Sequence, residues 1–579
     1  MLGKEMFDIW YGKVTADERR ELEEIKDNPE EIKERFAIPL AFGTAGMRGI
    51  VGLGTFRMNA YTVARATCGL ARFINSLPAE NAERGVVISY DTRRFSLEFA
   101  KKVASVLSAY KIKSYLYENV HPVPMCSFAI RNKHAIAGVM ITASHNPKEY
   151  NGYKVYGEDG AQMSPEDTAV VVKYINEITD YFSVEEDNVE FPEDMKGLDE
   201  VKLNDYITVI GKTVDESYYT ELSKLSLSPD AVKNYGKNLK LVYTPIHGSG
   251  YIPVTTMLSR LGINVTCVEE QTAPDTEFST VPIPNPENPA ALKMGIALGN
   301  KIGADVVIGT DPDCDRMGLA VRDDKGEFIL LNGNQIGALL LDYIITRLKE
   351  TNSMPKNPAV VKTIVTTTLA DRIAKANDVT VFNVLTGFKF IGEKIKEWEK
   401  SGEYTFLFGY EESYGYLRGT HARDKDAVVA SMLIAEMVCY YTSIGKGLYQ
   451  RLNEIFAEYG YYREAVTSIA YKGVDAMNDM AKAMSKMRTK TISEIAGEKV
   501  LSTSDFLSRK NTCHCGKVTD IDLPKTDAIK YCLADDQFVC IRPSGTEPKL
   551  KVYVLCFADT AEKASAKATA LLDGIKAEL

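Results

Sequence analysis

The sequence predicts an α/β fold with largely parallel sheets. Two observations carry this. A short apolar strand, a Gly- or Pro-marked loop and a helical segment recur in that order along the chain. Four of the most distinctive loops follow the ends of such strands, where open α/β sheets place ligands. The strands are read at 85–90, 137–141, 239–243, 304–308, 359–365 and 404–408. The chain has 579 residues, of which 45% are hydrophobic and 26% charged. That is the composition of a folded protein, with length for roughly three to five domains.

From the N-terminus, the first twenty residues mix both charges and contain no apolar run, so they are not expected to be a signal peptide. Residues 17–36, rich in Glu, Lys, Arg and Leu, predict amphipathic helix broken at Asn28-Pro29. Acidic, weakly patterned residues 183–205, the tight turn 323–326 and the region 459–462 mark boundaries. They divide the chain into 1–200, 201–323, 324–458 and 459–579. The most apolar stretch, 427–441, is interrupted by Glu436. It is too short to span a bilayer and is read as a buried helix. Ten cysteines are scattered, and the one cluster, Cys513-His514-Cys515, has no second cluster to complete a metal site. Reduced thiols are expected, without disulfides, and a cytoplasmic location with no membrane partner. The net charge of −10 excludes a general nucleic-acid binder, which needs clustered Lys and Arg. Neither GxGxxG nor the Walker A pattern occurs.

Five loops carry chemistry. Thr142-Ala143-Ser144-His145-Asn146-Pro147, followed by Asn151-Gly152-Tyr153-Lys154, puts a serine just past an apolar strand. It lacks the glycines of a hydrolase elbow, and an ordinary turn built by Ser and Asn is the plain alternative. In Asp311-Pro312-Asp313-Cys314-Asp315-Arg316, three aspartates alternate. In an extended segment they would point the same way and suit a divalent cation such as Mg²⁺. A solvated acidic turn is the alternative. Arg542-Pro543-Ser544-Gly545-Thr546-Glu547-Pro548 lies between apolar strands 538–541 and 550–556. It offers a guanidinium fork, two hydroxyls and close backbone approach to a phosphate. Gly409-Tyr410-Glu411-Glu412-Ser413-Tyr414-Gly415, then His421-Ala422-Arg423-Asp424-Lys425-Asp426, supplies carboxylates for sugar hydroxyls, or simply a charged loop. Gly43-Thr44-Ala45-Gly46-Met47-Arg48-Gly49 suits an anion nest.

In this order the loops resemble the α-D-phosphohexomutase family, over roughly residues 41–556. Within it the chain looks most like the branch that holds bacterial phosphoglucomutases and related phosphopentomutases. The resemblance implies four domains around a central cleft, three of similar α/β topology and a smaller, mobile C-terminal α+β domain. It implies that Ser144 carries a phosphoryl group, and that Asp311, Asp313 and Asp315 hold Mg²⁺ together with the Ser144 phosphate. Lys154 would be the general acid/base, supported by Arg48, His145 and Arg316. Thr386, Gly387, Glu411 and Ser413 would bind the sugar, and His421, Arg423 and Lys425 a further part of the sugar phosphate. Arg542, Ser544, Gly545 and Thr546 would hold the non-reacting phosphate.

The implied activity is interconversion of glucose 1-phosphate and glucose 6-phosphate, with glucose 1,6-bisphosphate as intermediate and activator. A small-molecule phosphosugar is then the partner. Phosphopentomutase and phosphomannomutase chemistry share this mechanism. Tyr414-Gly415 stands where the phosphomannomutase branch tends to carry a histidine shortly after its Glu-x-Ser element. A phosphatase using Asp311 or Asp313 as nucleophile and a non-catalytic phosphosugar-binding protein are the readings of other classes.

Overall fold

The computed structural model describes residues 3–43, 46–471, 475–544 and 549–579. The chain forms two compact units. The first holds the chain up to Gly333 together with Ile391–Gly402 and Ser413–Gly445. The second holds Asn334–Phe390, Glu403–Glu412 and the chain from Lys446 onward.

The first unit opens with helices Lys4–Lys13, Ala16–Ile25 and Pro29–Phe36. The predicted break is a helix start: Asn28 accepts a hydrogen bond from Glu31 N, and Pro29 takes the first turn, where no donor is lost. Trp10 is fully buried and packs against Phe36, Tyr61, Tyr181 and Phe182.

Two sheets follow. We label their strands β1 (Met47–Ile50), β2 (Val86–Tyr90), β3 (Ser114–Tyr117), β4 (Ala137–Ile141), β5 (Tyr150–Gly157), β6 (Val201–Lys202) and β7 (Ile207–Ile210) in the first. The second has β8 (Leu241–Thr244), β9 (Val265–Cys267), β10 (Val306–Thr310), β11 (Met317–Arg322) and β12 (Phe328–Leu331). The first sheet runs β1-β5-β4-β2-β3-β7-β6. Its centre, β4, β2, β3 and β7, is parallel, and β5 folds back antiparallel on β4. The second runs β12-β11-β10-β8-β9, with β10, β8 and β9 parallel and β11 antiparallel to β10. Strands β2, β4, β8 and β10 are buried along their whole length, as doubly covered parallel strands are.

The apolar stretch is the buried helix Ala427–Ser443. Asp426 caps it, accepting from Val428 N and Val429 N, each at 2.9 Å. Glu436, fully buried, accepts from Leu227 N, Ser228 N and Ser226 Oγ. Three donors around one carboxylate offset the cost of burying it.

In the second unit Pro358–Thr363, Thr380–Val384 and Thr405–Glu411 are parallel. The C-terminal part is an antiparallel sheet of Tyr461–Ala470, Lys549–Ala558, Phe538–Pro543, Ile529–Cys532, Ser502–Asp505, Lys510–Cys513 and Val518–Asp520, in that spatial order. Helices Ala476–Thr489 and Ala561–Glu578 accompany it, so this part is α+β. It is fastened to the preceding layer of its unit. Lys530 Nζ donates to Ile364 O at 2.7 Å, Thr368 Oγ1 to Asp536 O at 3.1 Å, and Arg372 lies over the Phe557 ring. One expectation is corrected: Cys513 and Cys515 are joined as a disulfide. The turn after Lys510–Cys513 sets their Cα atoms 5.1 Å apart, within bonding reach. Among the described residues no single helix is long and apolar enough to cross a membrane.

Glu436→Ala removes the carboxylate that accepts from Leu227 N, Ser228 N and Ser226 Oγ in this buried place. It is expected to lower stability by about 2–4 kcal/mol, read as an earlier urea unfolding transition. An unchanged transition would show that the carboxylate is not needed there.

Candidate active site

Strand β4 ends at Ile141 and β5 begins at Tyr150, so the TASHNP loop is the connection between two hydrogen-bonded strands. Ser144 adopts a left-handed backbone, φ 52°, and its N–H donates to Thr142 Oγ1 at 2.8 Å. A local turn thus presents the hydroxyl. Ser144 is only 3% exposed. Its Oγ donates to Asp311 Oδ2 at 3.1 Å and lies 3.1 Å from His145 Nδ1. Lys154, on β5, sends Nζ to Asp313 Oδ2 at 2.8 Å.

The three aspartates converge, but not by strand alternation. Residues between β10 and β11 form a tight turn, with Cys314 left-handed at φ 50° and its N–H donating to Asp311 O. Asp311 Oδ1 accepts from Asp315 N and Arg316 N. One oxygen of each carboxylate lies within 4.8 Å of the others, and all three side chains are buried. The loop from β8 packs beneath. A Cβ at Gly248 would sit 2.6 Å from Pro312 Cα, so only glycine permits this approach.

Burial and the neighbouring Asp313 and Asp315 charges push Asp311 well above the ordinary carboxylate range. Burial and Asp313 likewise raise Asp315. Burial also works against the Asp313 charge, but Lys154 and Lys425 outweigh it and hold Asp313 below the usual range. Burial, with Arg316 and Arg48 nearby, keeps His145 neutral at physiological pH. Asp313 Oδ1 and Asp315 Oδ1 are buried and have no hydrogen-bond partner among the described residues. Hard anionic oxygens, close together and not satisfied by protein donors, fit a divalent cation.

Lys425 also reaches this cluster, 3.0 Å from Asp315 Oδ2 and 2.8 Å from Asp424 Oδ1. Gly415 makes room for it: a Cβ there would meet Lys425 Cδ at 2.1 Å. Arg316 pairs with Glu287 and lies 3.8 Å from Asp315 Oδ1. Arg48, exposed, donates to Asn146 Oδ1 of the serine loop at 2.9 Å. The first-unit residue Ser413 precedes Tyr414, whose carbonyl accepts from Met317 N. His421 and Arg423 turn to other partners. His421 Nε2 lies 2.7 Å from Asp426 Oδ2, and the buried Arg423 engages Thr420 O and Glu399.

In the second unit, Glu411 Oε1 accepts from Gly387 N at 2.8 Å, which joins Glu411 to the Thr386-Gly387 turn. Glu412 is held by Thr363 and Thr366 hydroxyls. Arg542 lies opposite Lys551 across an antiparallel pair, and Ser544 N donates to Lys549 O. Gly545 and Thr546 lie outside the described residues.

Sequence reasoning missed three participants. Asp424 and Asn146 stood inside quoted motifs but drew no role. Arg93, buried behind the serine loop, had one available signal, an arginine just past strand β2.

Residues 39–182, 216–326 and 332–459 match, in order, alpha/beta/alpha domains I, II and III of the phosphoglucomutase/phosphomannomutase family. The phosphoglucomutase of Staphylococcus epidermidis (strain ATCC 12228 / FDA PCI 1200) is 39% identical over 533 residues, 92% of this chain and 93% of that protein. That of Staphylococcus aureus (strain USA300) is 37% identical over 544 residues, 93% and 94% of the two chains. Among solved structures, the open form of exocytosis-sensitive phosphoprotein pp63/parafusin, a phosphoglucomutase from Paramecium, has a TM-score of 0.69 at 18% identity. It covers 94% of this chain and 95% of its own. A phosphoglucomutase/phosphomannomutase family protein from Burkholderia thailandensis has a TM-score of 0.64 at 15% identity, covering 93% and 96%. At those identities the two structures speak for the fold alone.

Burial raises Asp311 and Asp315, and protons on them compete with a cation, so Mg²⁺ binding is expected to tighten as pH rises above the ordinary carboxylate range of about 4. Calorimetric titration of the wild type checks this, and Asp313→Ala should abolish the signal. Equal binding by that variant would place the cation elsewhere.

Proposed function

The chain belongs to the phosphoglucomutase/phosphomannomutase family, and on that footing we propose that it interconverts glucose 1-phosphate and glucose 6-phosphate through a phosphoserine at Ser144 and a glucose 1,6-bisphosphate intermediate. The observation that carries the reading is Ser144 Oγ, 3.1 Å from Asp311, in one buried cluster with Lys154 and the aspartate turn. Residues 1–200 would carry the phosphoserine, 201–323 the metal, 324–458 the sugar and 459–579 the distal phosphate.

Phosphoryl transfer needs positioning and charge stabilisation more than covalent help from the protein. Asp311, Asp313 and Asp315, with an oxygen of the Ser144 phosphoryl group, would hold Mg²⁺, which when bound offsets the charge on the phosphoryl oxygens. A sugar hydroxyl oxygen bonds to phosphorus as the bond from phosphorus to Ser144 Oγ breaks. Lys154, which pairs with Asp313 as the ammonium, would have to be in its neutral amine form to accept the hydroxyl proton. His145 Nδ1, 3.1 Å from Oγ, hydrogen-bonds the departing seryl oxygen. The bisphosphate then turns over and returns its other phosphoryl group to Ser144 by the reverse steps.

Glu411 and the Gly387 turn receive ring hydroxyls. Arg542 takes the phosphate that does not react.

Ser144→Ala removes the oxygen that accepts the phosphoryl group, so turnover should vanish in a coupled assay. The wild type incubated with glucose 1,6-bisphosphate should gain one phosphoryl group by intact mass, and the variant none. Isomerisation near the wild-type rate by the variant would overturn the mechanism. Arg542→Ala should lower kcat/KM about ten- to a hundredfold, the loss of a charge-assisted bond worth about 1.5–3 kcal/mol. Glucose, mannose, ribose and deoxyribose 1-phosphates assayed side by side decide the sugar. A pentose favoured by about tenfold, or about 1.4 kcal/mol, would make the enzyme a phosphopentomutase.

A further inference from the structure

The serine loop has a buried anchor that the mechanism above does not use. Arg93 follows β2 by three residues and is 3% exposed. Its Nη2 donates to Ser144 O at 2.6 Å and Asn146 O at 2.5 Å. Its Nη1 donates to Pro147 O at 2.9 Å and Tyr150 O at 3.0 Å. Three carbonyls of the loop and that of Tyr150, at the start of β5, therefore converge on one planar guanidinium. Asp91 sets that guanidinium in place, with Oδ2 3.4 Å from Arg93 Nε and Oδ1 accepting from Arg93 N and Ser96 Oγ. On the other side, Arg93 lies over the Phe278 ring, 5.1 Å from its centroid.

We infer that Arg93 is the positioning residue of the phosphoryl-accepting serine: by gripping the loop carbonyls from behind, it fixes where Ser144 Oγ meets Asp311. The argument is geometric. A trans peptide sets its C=O and N–H antiparallel, so holding Ser144 O toward Arg93 turns His145 N–H away from it. The left-handed Ser144 backbone is a conformation that non-glycine residues adopt at a cost unless their surroundings impose it. The grip on the carbonyls of residues 144, 146, 147 and 150 imposes it. Only the fork of an arginine reaches several acceptors in one plane. A lysine in its place supplies donors without that fixed geometry. Arg93 binds backbone carbonyls of the serine loop and not, in this arrangement, the seryl oxygen. Its effect belongs on phosphoryl transfer and not on sugar binding.

The inference rests on the mutase reading for its assay, and the experiment separates the two. Wild type, Arg93→Lys, Asp91→Asn and Arg65→Lys are compared. Arg65 is a buried arginine that donates to Ile178 O beneath the Tyr181 ring and serves as a control for ordinary loss of packing. Measured are kcat and KM for glucose 1-phosphate, the rate of Ser144 phosphorylation by glucose 1,6-bisphosphate followed by intact mass, and the thermal midpoint.

Arg93→Lys should lower kcat and the phosphorylation rate together by about thirtyfold or more, the scale of an ångström-level misplacement. KM should stay within about threefold. Arg65→Lys should lower the midpoint and leave kcat within about threefold. Asp91→Asn keeps Arg93 and the Oδ1 bonds but removes the charge beside Nε, and should lower kcat about three- to tenfold at unchanged KM. It decides the matter alone should Arg93→Lys not fold. The inference is overturned by a folded Arg93→Lys that keeps kcat within about threefold, by losses that appear equally in KM, or by an unaffected Asp91→Asn where Arg93→Lys is unfolded. A wild type that neither isomerises glucose 1-phosphate nor accepts a phosphoryl group would instead overturn the mutase reading.

Discussion

Three carboxylates buried in one tight turn are the constraint around which the first unit is arranged. Asp311, Asp313 and Asp315 cannot all be charged and out of water without positive charge against them. Lys154 comes from the neighbouring sheet, Lys425 from the segment before a buried helix, and Arg316 from the end of the turn itself. These cations come from widely separated stretches of chain, so the cluster ties together parts that share no strand pairing. Two carboxylate oxygens are still left without a hydrogen-bond donor among the described residues, which is why the site suits a divalent cation and not a closed network of salt bridges.

The serine loop depends on the same cluster from the opposite side. Ser144 Oγ points at Asp311, while its backbone carbonyl points back at Arg93. One residue is thus held from both ends, by an acid in front and a base behind. Around it β4 and β5 supply a rigid frame, because β4 is buried throughout and β5 pairs with it residue for residue. A loop carried on such strands keeps its geometry better than a free surface loop.

Much of this was legible in the sequence, for identifiable reasons. Strands β2, β4, β8 and β10 are continuous apolar runs, which is how doubly buried strands read. The break at Asn28-Pro29 is a cap followed by a proline, both local signals. The convergence of the aspartates was read correctly, but its cause was not. Alternation suggested an extended strand, whereas a left-handed Cys314 makes the turn, and a cysteine gives no sign of that conformation. Arg93 was missed because its partners are backbone carbonyls, which leave no trace in residue identity. The disulfide at Cys513 and Cys515 went unread because a hairpin turn, and not the cysteine count, brings the two together. The turns of His421 and Arg423 toward Asp426 and Glu399 are likewise tertiary facts, set by where a helix cap and a neighbouring helix happen to lie.

The absent side chain at residue 415 carries a consequence for how such a protein can diverge. The stem of Lys425 fills the space that any Cβ at 415 would take, and its ammonium group sits on Asp315. Position 415 lies two residues past Ser413. Position 425 balances the charge of the aspartate turn. The two cannot be altered independently: a larger residue at 415 displaces the cation, and a shorter one at 425 leaves a hole and an uncompensated acid. Contacting residues of this kind show strongly non-additive effects. Divergence at position 415 is therefore epistatic at its first step, passing through a paired replacement or through an intermediate whose aspartate turn is short of positive charge.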